Sequence, residues 1–238
     1  MIRAFLRSSA PRLLLVLLAA LMFYFMEPGF HIHEAPIKDA ELDLGPMGIS
    51  ATLANLAGLS MLILLAGFIA VDRRRGYYRL ILSHPVSPLR YYGTRWLLAL
   101  ALSLAAAAVF LVVGQYAAWG EYRGGAGGLF LALVTAIAYG GLMAFLSAAL
   151  PRGDAWVGVL LFLFTFFWLN ELRLGAEPFI PAVRAAISLL LPPQTALQDV
   201  YDDLLRGTIA WGAAAFSAGY GAFWLGVSAL LVRYREWP

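Results

Sequence analysis

The sequence predicts an all-α, polytopic membrane protein with six transmembrane helices and both termini in the cytoplasm. Three observations lead there. Of 238 residues, 13% are charged and 62% hydrophobic, with a mean hydropathy of +0.78, against roughly 25% and about half in an average soluble domain. The apolar residues run in continuous stretches of helical length, not in the alternation of a barrel strand. The basic residues gather at one set of loops. So few charges cannot coat a soluble globule, and so apolar a chain is not disordered. With no cysteine, there is no disulfide framework.

Crossing the hydrocarbon core takes about 20 apolar residues. The expected spans are residues 11–26, 48–71, 96–119, 128–150, 155–170 and 208–232, forming one membrane domain over 1–238. The first is short. Ile2 to Ser9 serve it as an interfacial lead-in, and Pro11 falls in its first turn, where a missing amide costs nothing. Arg3, Arg7 and Arg12 before Leu13–Phe23 have the outline of a signal peptide. No small-residue cleavage site follows, because the chain reads on Phe25-Met26-Glu27-Pro28.

After the second span, Gly76 breaks the helix. Tyr77 to Leu82 then form a short helix along the membrane face, with Tyr78, Ile81 and Leu82 on one side. Pro85 stops it. Ser87 as N-cap and Pro88 in the first position open the next helix. Small residues on the fourth span (Gly140, Gly141, Ala144) and the sixth (Gly212, Ala215, Gly219, Ala222) suit close packing within the subunit. The aromatics of the fifth, Phe162, Phe164, Phe166, Phe167 and Trp168, are expected to face lipid.

Residues 170–207 are long for a connector and call for structure of their own. Pro181–Leu191 and Thr195–Leu205 read as two short helices. In the second, Leu197, Tyr201, Leu204 and Leu205 lie opposite Asp199, Asp202 and Asp203.

Charge sets the orientation. With both ends inside, 12 of the 17 basic residues face the cytoplasm and five face out, as the positive-inside rule requires. Six of the 12 lie between Arg73 and Arg95. The arginines sit at span ends rather than in one aromatic-laced patch, so the basic balance is not a nucleic-acid signal.

Within these bounds, spans two to six hold no Asp, Glu, Lys, Arg or His. That counts against a proton relay or an ion-coupled carrier with a charged site, and leaves open a sodium site built from carbonyls. All three histidines fall in loops, so the bilayer holds neither a Ser–His dyad nor a His-Glu-x-x-His site. The one lysine, Lys38 in Pro36-Ile37-Lys38-Asp39, lacks the glycines of a phosphate loop. The chain is therefore not expected to be an enzyme. His31 and His33 share one face of an extended chain while Glu34 turns to the other. This candidate metal pair is short of a third ligand, and a solvated loop is the expectation.

Residues 72–96 form a protruding, arginine-rich elbow. Arg73, Gly76 with Leu80 or Ile81 after it, Ser83-His84-Pro85-Val86-Ser87, Tyr91 and Arg95 resemble the coupling-helix segment of the ABC-2 type permeases, the membrane subunits of type 2 ABC exporters. Pro-Val-Ser is the specific part. The resemblance extends in outline to six spans, both ends inside, a basic N-terminal lead-in and the short basic tail Arg233-Tyr234-Arg235. Two departures stand out. A Glu usual in the N-terminal helix is missing, and Asp72-Arg73-Arg74-Arg75 replaces a more acidic sequence.

The resemblance implies an ATP-driven export system. A separate cytoplasmic ABC ATPase would carry ATP and Mg, and this chain would bind no cofactor. A second permease subunit would pair with it, in the plasma (inner) membrane of a prokaryote. Arg75, Gly76, Tyr77, Tyr78, Leu80, Ile81, Leu82, Ser83, Pro85, Val86 and Ser87 would couple to the ATPase. Re-entrant helices carrying Pro181, Pro192, Pro193, Leu197 and Tyr201 would form the external gate; their amphipathicity alone equally suits a cap that packs on the bundle. The alternatives are a permease of the haem-export kind, a non-transporting membrane scaffold or assembly factor, and a carbonyl-lined carrier.

Overall fold

The computed structural model describes residues 2–27, 30, 47–76, 87–150, 152–176 and 179–234. Its helices are α1 (Ile2–Met26), α2 (Ser50–Leu65), α3 (Ala70–Arg74), α4 (Pro88–Trp119), α5 (Gly128–Ala149), α6 (Asp154–Arg173), α7 (Pro181–Leu190), α8 (Gln194–Leu205) and α9 (Trp211–Tyr234). No strand occurs among the described residues. Among the described residues, five stretches are long and apolar enough to cross a membrane: Ser50–Arg74, Pro88–Trp119, Gly128–Ala149, Asp154–Leu172 and Trp211–Tyr234. Ala10–Met26, within α1, is a shorter sixth.

The two centre helices are α2 and α5. α1 and α4 pack on α2, α9 packs on α5, and α6 touches both. Sequence explains this order. A helix apolar all round is one that is buried all round, and α2 buries Leu53, Leu56, Met61, Leu64 and Leu65 on successive faces. The outer helices keep one apolar face outward: Leu97 and Val113 on α4, Phe167 on α6 and Phe223 on α9 are each about 60% exposed. Lipid is the solvent that suits such faces.

Glycine sets the α5–α9 crossing. A Cβ on Gly141 would stand 2.0 Å from the Gly221 carbonyl oxygen, and one on Gly221 would stand 2.3 Å from that of Ile137. Ser228 Oγ donates to the Ala144 carbonyl at 3.1 Å further along the same seam. The fourth-span small residues thus pack as expected. Those of the sixth do not: Gly212, Ala215, Gly219 and Ala222 are exposed, and the seam runs through Ala214, Ser217, Gly221 and Ser228. Both stripes repeat at three and four residues, so spacing alone does not say which one faces the bundle.

α4 opens at Pro88, as Ser87-Pro88 predicts, and so runs ahead of the span expected from residue 96, with Ser87 Oγ accepting from the Arg90 amide at 3.2 Å. Its 32 residues make a helix of about 48 Å, longer than the roughly 30 Å hydrocarbon core. α1 runs unbroken through Pro11, which lies inside the helix rather than in its first turn. The fifth-span aromatics divide. Phe164 and Phe167 are exposed, but Phe162 and Trp168 are buried, Phe162 beside Tyr139 and Trp168 beside Phe179.

At the far end of α4, Gln115 is fully buried. It accepts from the Arg123 amide at 2.8 Å and donates to the Gly124 carbonyl at 2.9 Å, fixing the turn into α5. The long connector forms two short helices, α7 and α8, as its pattern predicts. α8 buries Leu197, Val200, Tyr201 and Leu204 against α5, α6 and α9. α7 is largely exposed, and the Tyr220 hydroxyl donates to its Leu190 carbonyl at 2.9 Å.

Candidate functional site

The second span does not run straight through. Between α2 and α3 the helix opens at Ala66–Ile69, where Gly67 takes φ +67°. A side chain is disfavoured in that left-handed conformation. A Cβ there would also stand 2.5 Å from Val71 Cγ2. Opening a helix frees backbone donors and acceptors, and in an apolar interior each needs a new partner.

Side chains from three other helices supply those partners. Arg12 of α1 donates from Nη1 to the Leu64 carbonyl at 2.8 Å and from Nη2 to the Ala66 carbonyl at 2.7 Å. Asp154, the first residue of α6, accepts from the Gly67 amide at 2.9 Å. Ser147 Oγ of α5 accepts from the Ile69 amide at 2.9 Å and the Ala70 amide at 3.1 Å. Asp154 is 3% exposed and Ser147 fully buried. In return, Arg73 of α3 donates to the Ala148 carbonyl at 2.8 Å, near the end of α5. The break is thus clamped to α1, α5 and α6.

Below the clamp lies an ion pair. Arg95 of α4 donates to Asp72 Oδ2 of α3 at 2.7 Å, with both side chains about 12–13% exposed. The Tyr92 hydroxyl adds a longer bond to the same oxygen at 3.4 Å, and Arg95 also reaches the Tyr91 hydroxyl at 3.3 Å. Phe68 and Tyr91 present their rings to the guanidinium at 5.4 and 5.3 Å, within cation–π range. Asp72 and Arg95 stand on either side of residues 77–86. The pair therefore pins together the two helices that flank that segment in sequence.

Among the expected coupling residues, the described ones are Arg75, Gly76 and Ser87. Arg75 is exposed. Gly76 takes φ +69° and ends the second span's helix, with open space where a Cβ would go. Ser87 caps α4. Tyr77, Tyr78, Leu80, Ile81, Leu82, Ser83, Pro85 and Val86 lie outside the described residues, as do His31 and His33. Among the described residues, no group of three or more His, Cys, Asp or Glu is placed to hold a metal ion. The expected gate residues are all among the described ones: Pro192, Pro193, Leu197 and Tyr201 are buried against the bundle, and Pro181 is exposed.

Sequence reasoning pointed at Arg73, Tyr91 and Arg95 through the motif, and missed Arg12, Gly67, Ser147 and Asp154. Two signals were available. A glycine inside an apolar run marks a place where a helix can open. The pair Gly153-Asp154 opens a helix with a carboxylate in its first turn, which favours the helix dipole. By sequence alone, Arg12 is one of several positive-inside residues.

Comparison with known proteins adds no relative: no family model, curated protein or solved structure matches the chain.

Proposed function

We propose that this chain is the permease subunit of an ATP-driven exporter, and that residues 73–95 are where a separate ATPase grips it. The observation that carries the reading is the clamped break in the second span, which leads directly into that arginine-rich segment. The Pro85-Val86-Ser87 motif supports it from sequence.

The geometry suits a lever. A force on residues 77–86 reaches α3 and α4 together, because Asp72 and Arg95 join them. From α3 it passes to α5 through Ser147 and Arg73. At the opening itself it reaches α6 through Asp154 and α1 through Arg12. Left to float, the opened backbone would absorb the force; tied on three sides, it conveys it. The ATPase cycle then biases a membrane element between two arrangements, which is what coupling two sites requires.

In this reading both termini are cytoplasmic, since the N-terminal half of α1 and the C-terminal half of α9 pack at the arginine-rich end. Of α7 and α8, one dips into the outer leaflet and the other lies at its surface, and together they form the external gate. Two such chains pair with two ATPase subunits in a prokaryotic inner membrane.

The test is co-purification with the ATPase encoded beside it, followed by substrate-stimulated hydrolysis in proteoliposomes. Pro85→Leu and Gly76→Trp are expected to keep the ATPase bound while separating hydrolysis from transport. Full transport by both variants, or no ATPase bound to the unaltered chain, would overturn the proposal.

A further inference from the structure

A second polar cluster lies away from the clamp, where the α8 end of the connector meets the bundle. Asn55 of α2, Thr135 and Tyr139 of α5 and Gln194 of α8 converge on one small cavity, closed by apolar neighbours such as Leu131 and Leu197. All four are at least nine-tenths buried. The Tyr139 hydroxyl pairs with Thr165 of α6 and is also reached by Gln194, whose amide donates to the Pro192 carbonyl at 2.9 Å.

Thr135 is the exception. Its hydroxyl is buried with no hydrogen-bond partner. Its methyl lies against α2, 3.3 Å from where a Cβ on Gly58 would stand. That packing opposes a rotation that would carry the hydroxyl elsewhere. A threonine in a helix often satisfies itself on the carbonyl one turn back, and this one does not.

We infer that this cavity is a binding site for a single water molecule, held by Thr135 together with Asn55 and Gln194. Size and chemistry both select it. The cavity is about 10 Å³, the room for about one water centre, and a buried water needs two to four polar partners. A purely apolar cavity stays dry; this one is lined by a hydroxyl and two amides that each donate and accept. A bare cation is not favoured, because no carboxylate lines the site to offset its desolvation. The water joins α2 and α5 to the first turn of α8, so the helix that caps the bundle is tied to its two centre helices by a replaceable link. The site does not depend on what the chain transports.

Thr135→Val separates the alternatives by sign. Valine matches threonine in shape and lacks only the hydroxyl. If a water is bound, it loses one partner, Asn55 and Gln194 are left under-satisfied, and the thermal midpoint of the full chain in detergent falls. If the hydroxyl is an orphan in a dry cavity, the same change removes a buried unsatisfied group, and the midpoint rises. A rise or no change overturns the proposal. The second measurement is a map of the unaltered chain that resolves ordered water. It is expected to show one peak within hydrogen-bond distance of Thr135 Oγ1 and of Asn55 or Gln194. No peak overturns the proposal, even if the variant fails to fold.

Discussion

Single residues in this chain act through backbone groups that the fold has exposed. Asp154 is the sharpest case. Its carboxylate is the acceptor for the Gly67 amide, so Asp154→Ala leaves a buried donor unmet. The expected loss is about 1–3 kcal/mol, read as a lower thermal midpoint in detergent. Asp154→Asn, which keeps an acceptor, is expected to lose less.

Arg95 tests a different term. Removing one member of a largely buried ion pair strands the other, at a cost of about 3 kcal/mol. Asp72→Ala with Arg95→Ala is expected to recover part of what Arg95→Ala loses, as a double-mutant cycle would show. Asp199, on the solvent side of α8, contributes a pH dependence of its own. Partial desolvation and the neighbouring Asp202 and Asp203 raise its pKa, and Arg184 offsets part of this. A raised carboxyl pKa means the fold favours the protonated form. The charge therefore works against stability at neutral pH, and that penalty fades on acidification toward the ordinary carboxylate range. Asp199→Asn is expected to raise the midpoint at pH 7, with the gain vanishing near pH 4. A gain independent of pH would contradict this.

Elements show how far spacing reaches and where it stops. The apolar runs placed the five long apolar stretches and the shorter Ala10–Met26, because length and continuity identify a span without reference to neighbours. The Ser87-Pro88 start of α4 and the two short helices after α6 were equally readable, since caps and prolines act locally. Which face of a uniformly apolar helix turns inward was not readable. The sixth span offers two small-residue stripes two positions apart, and only the α5–α9 packing chooses between them. The expected consequence is selective. Gly221→Ala would force a Cβ to within 2.3 Å of the Ile137 carbonyl and should destabilise the chain by several kcal/mol, about the scale of severe overpacking. Gly219→Ala meets nothing within 4 Å and should be neutral or slightly stabilising, as alanine favours helix. Thermal midpoints of the two variants side by side check this.

The candidate site was half legible for a related reason. Arg73, Tyr91 and Arg95 belong to a contiguous motif. The clamp is assembled from residues 12, 67, 147 and 154, which only the fold brings together. An inventory of charges inside spans two to six finds none, because Asp72 and Asp154 sit just past the ends that hydropathy marks. Burial of those two acids is a property of the packing, not of the local sequence.

For the whole molecule, the opened second span, the ion pair below it and the described ends of the arginine-rich segment, residues 73–76 and 87–95, form one connected unit at one end of the bundle. α8 and its polar cavity cap the other. A motor bound at the first end would act on α2, and α2 contributes Asn55 to the cavity at the second. The most direct test of the motor's place uses the absence of cysteine from the chain. Ser83→Cys, in the expected coupling segment, and Thr208→Cys, between α8 and α9, each introduce a single thiol. Membrane vesicles containing either variant and the cognate ATPase are treated with a short thiol-to-amine cross-linker. The account predicts an adduct with the ATPase from Ser83→Cys that changes with nucleotide, and none from Thr208→Cys. No adduct at Ser83→Cys, or equal adducts at both positions, would contradict it.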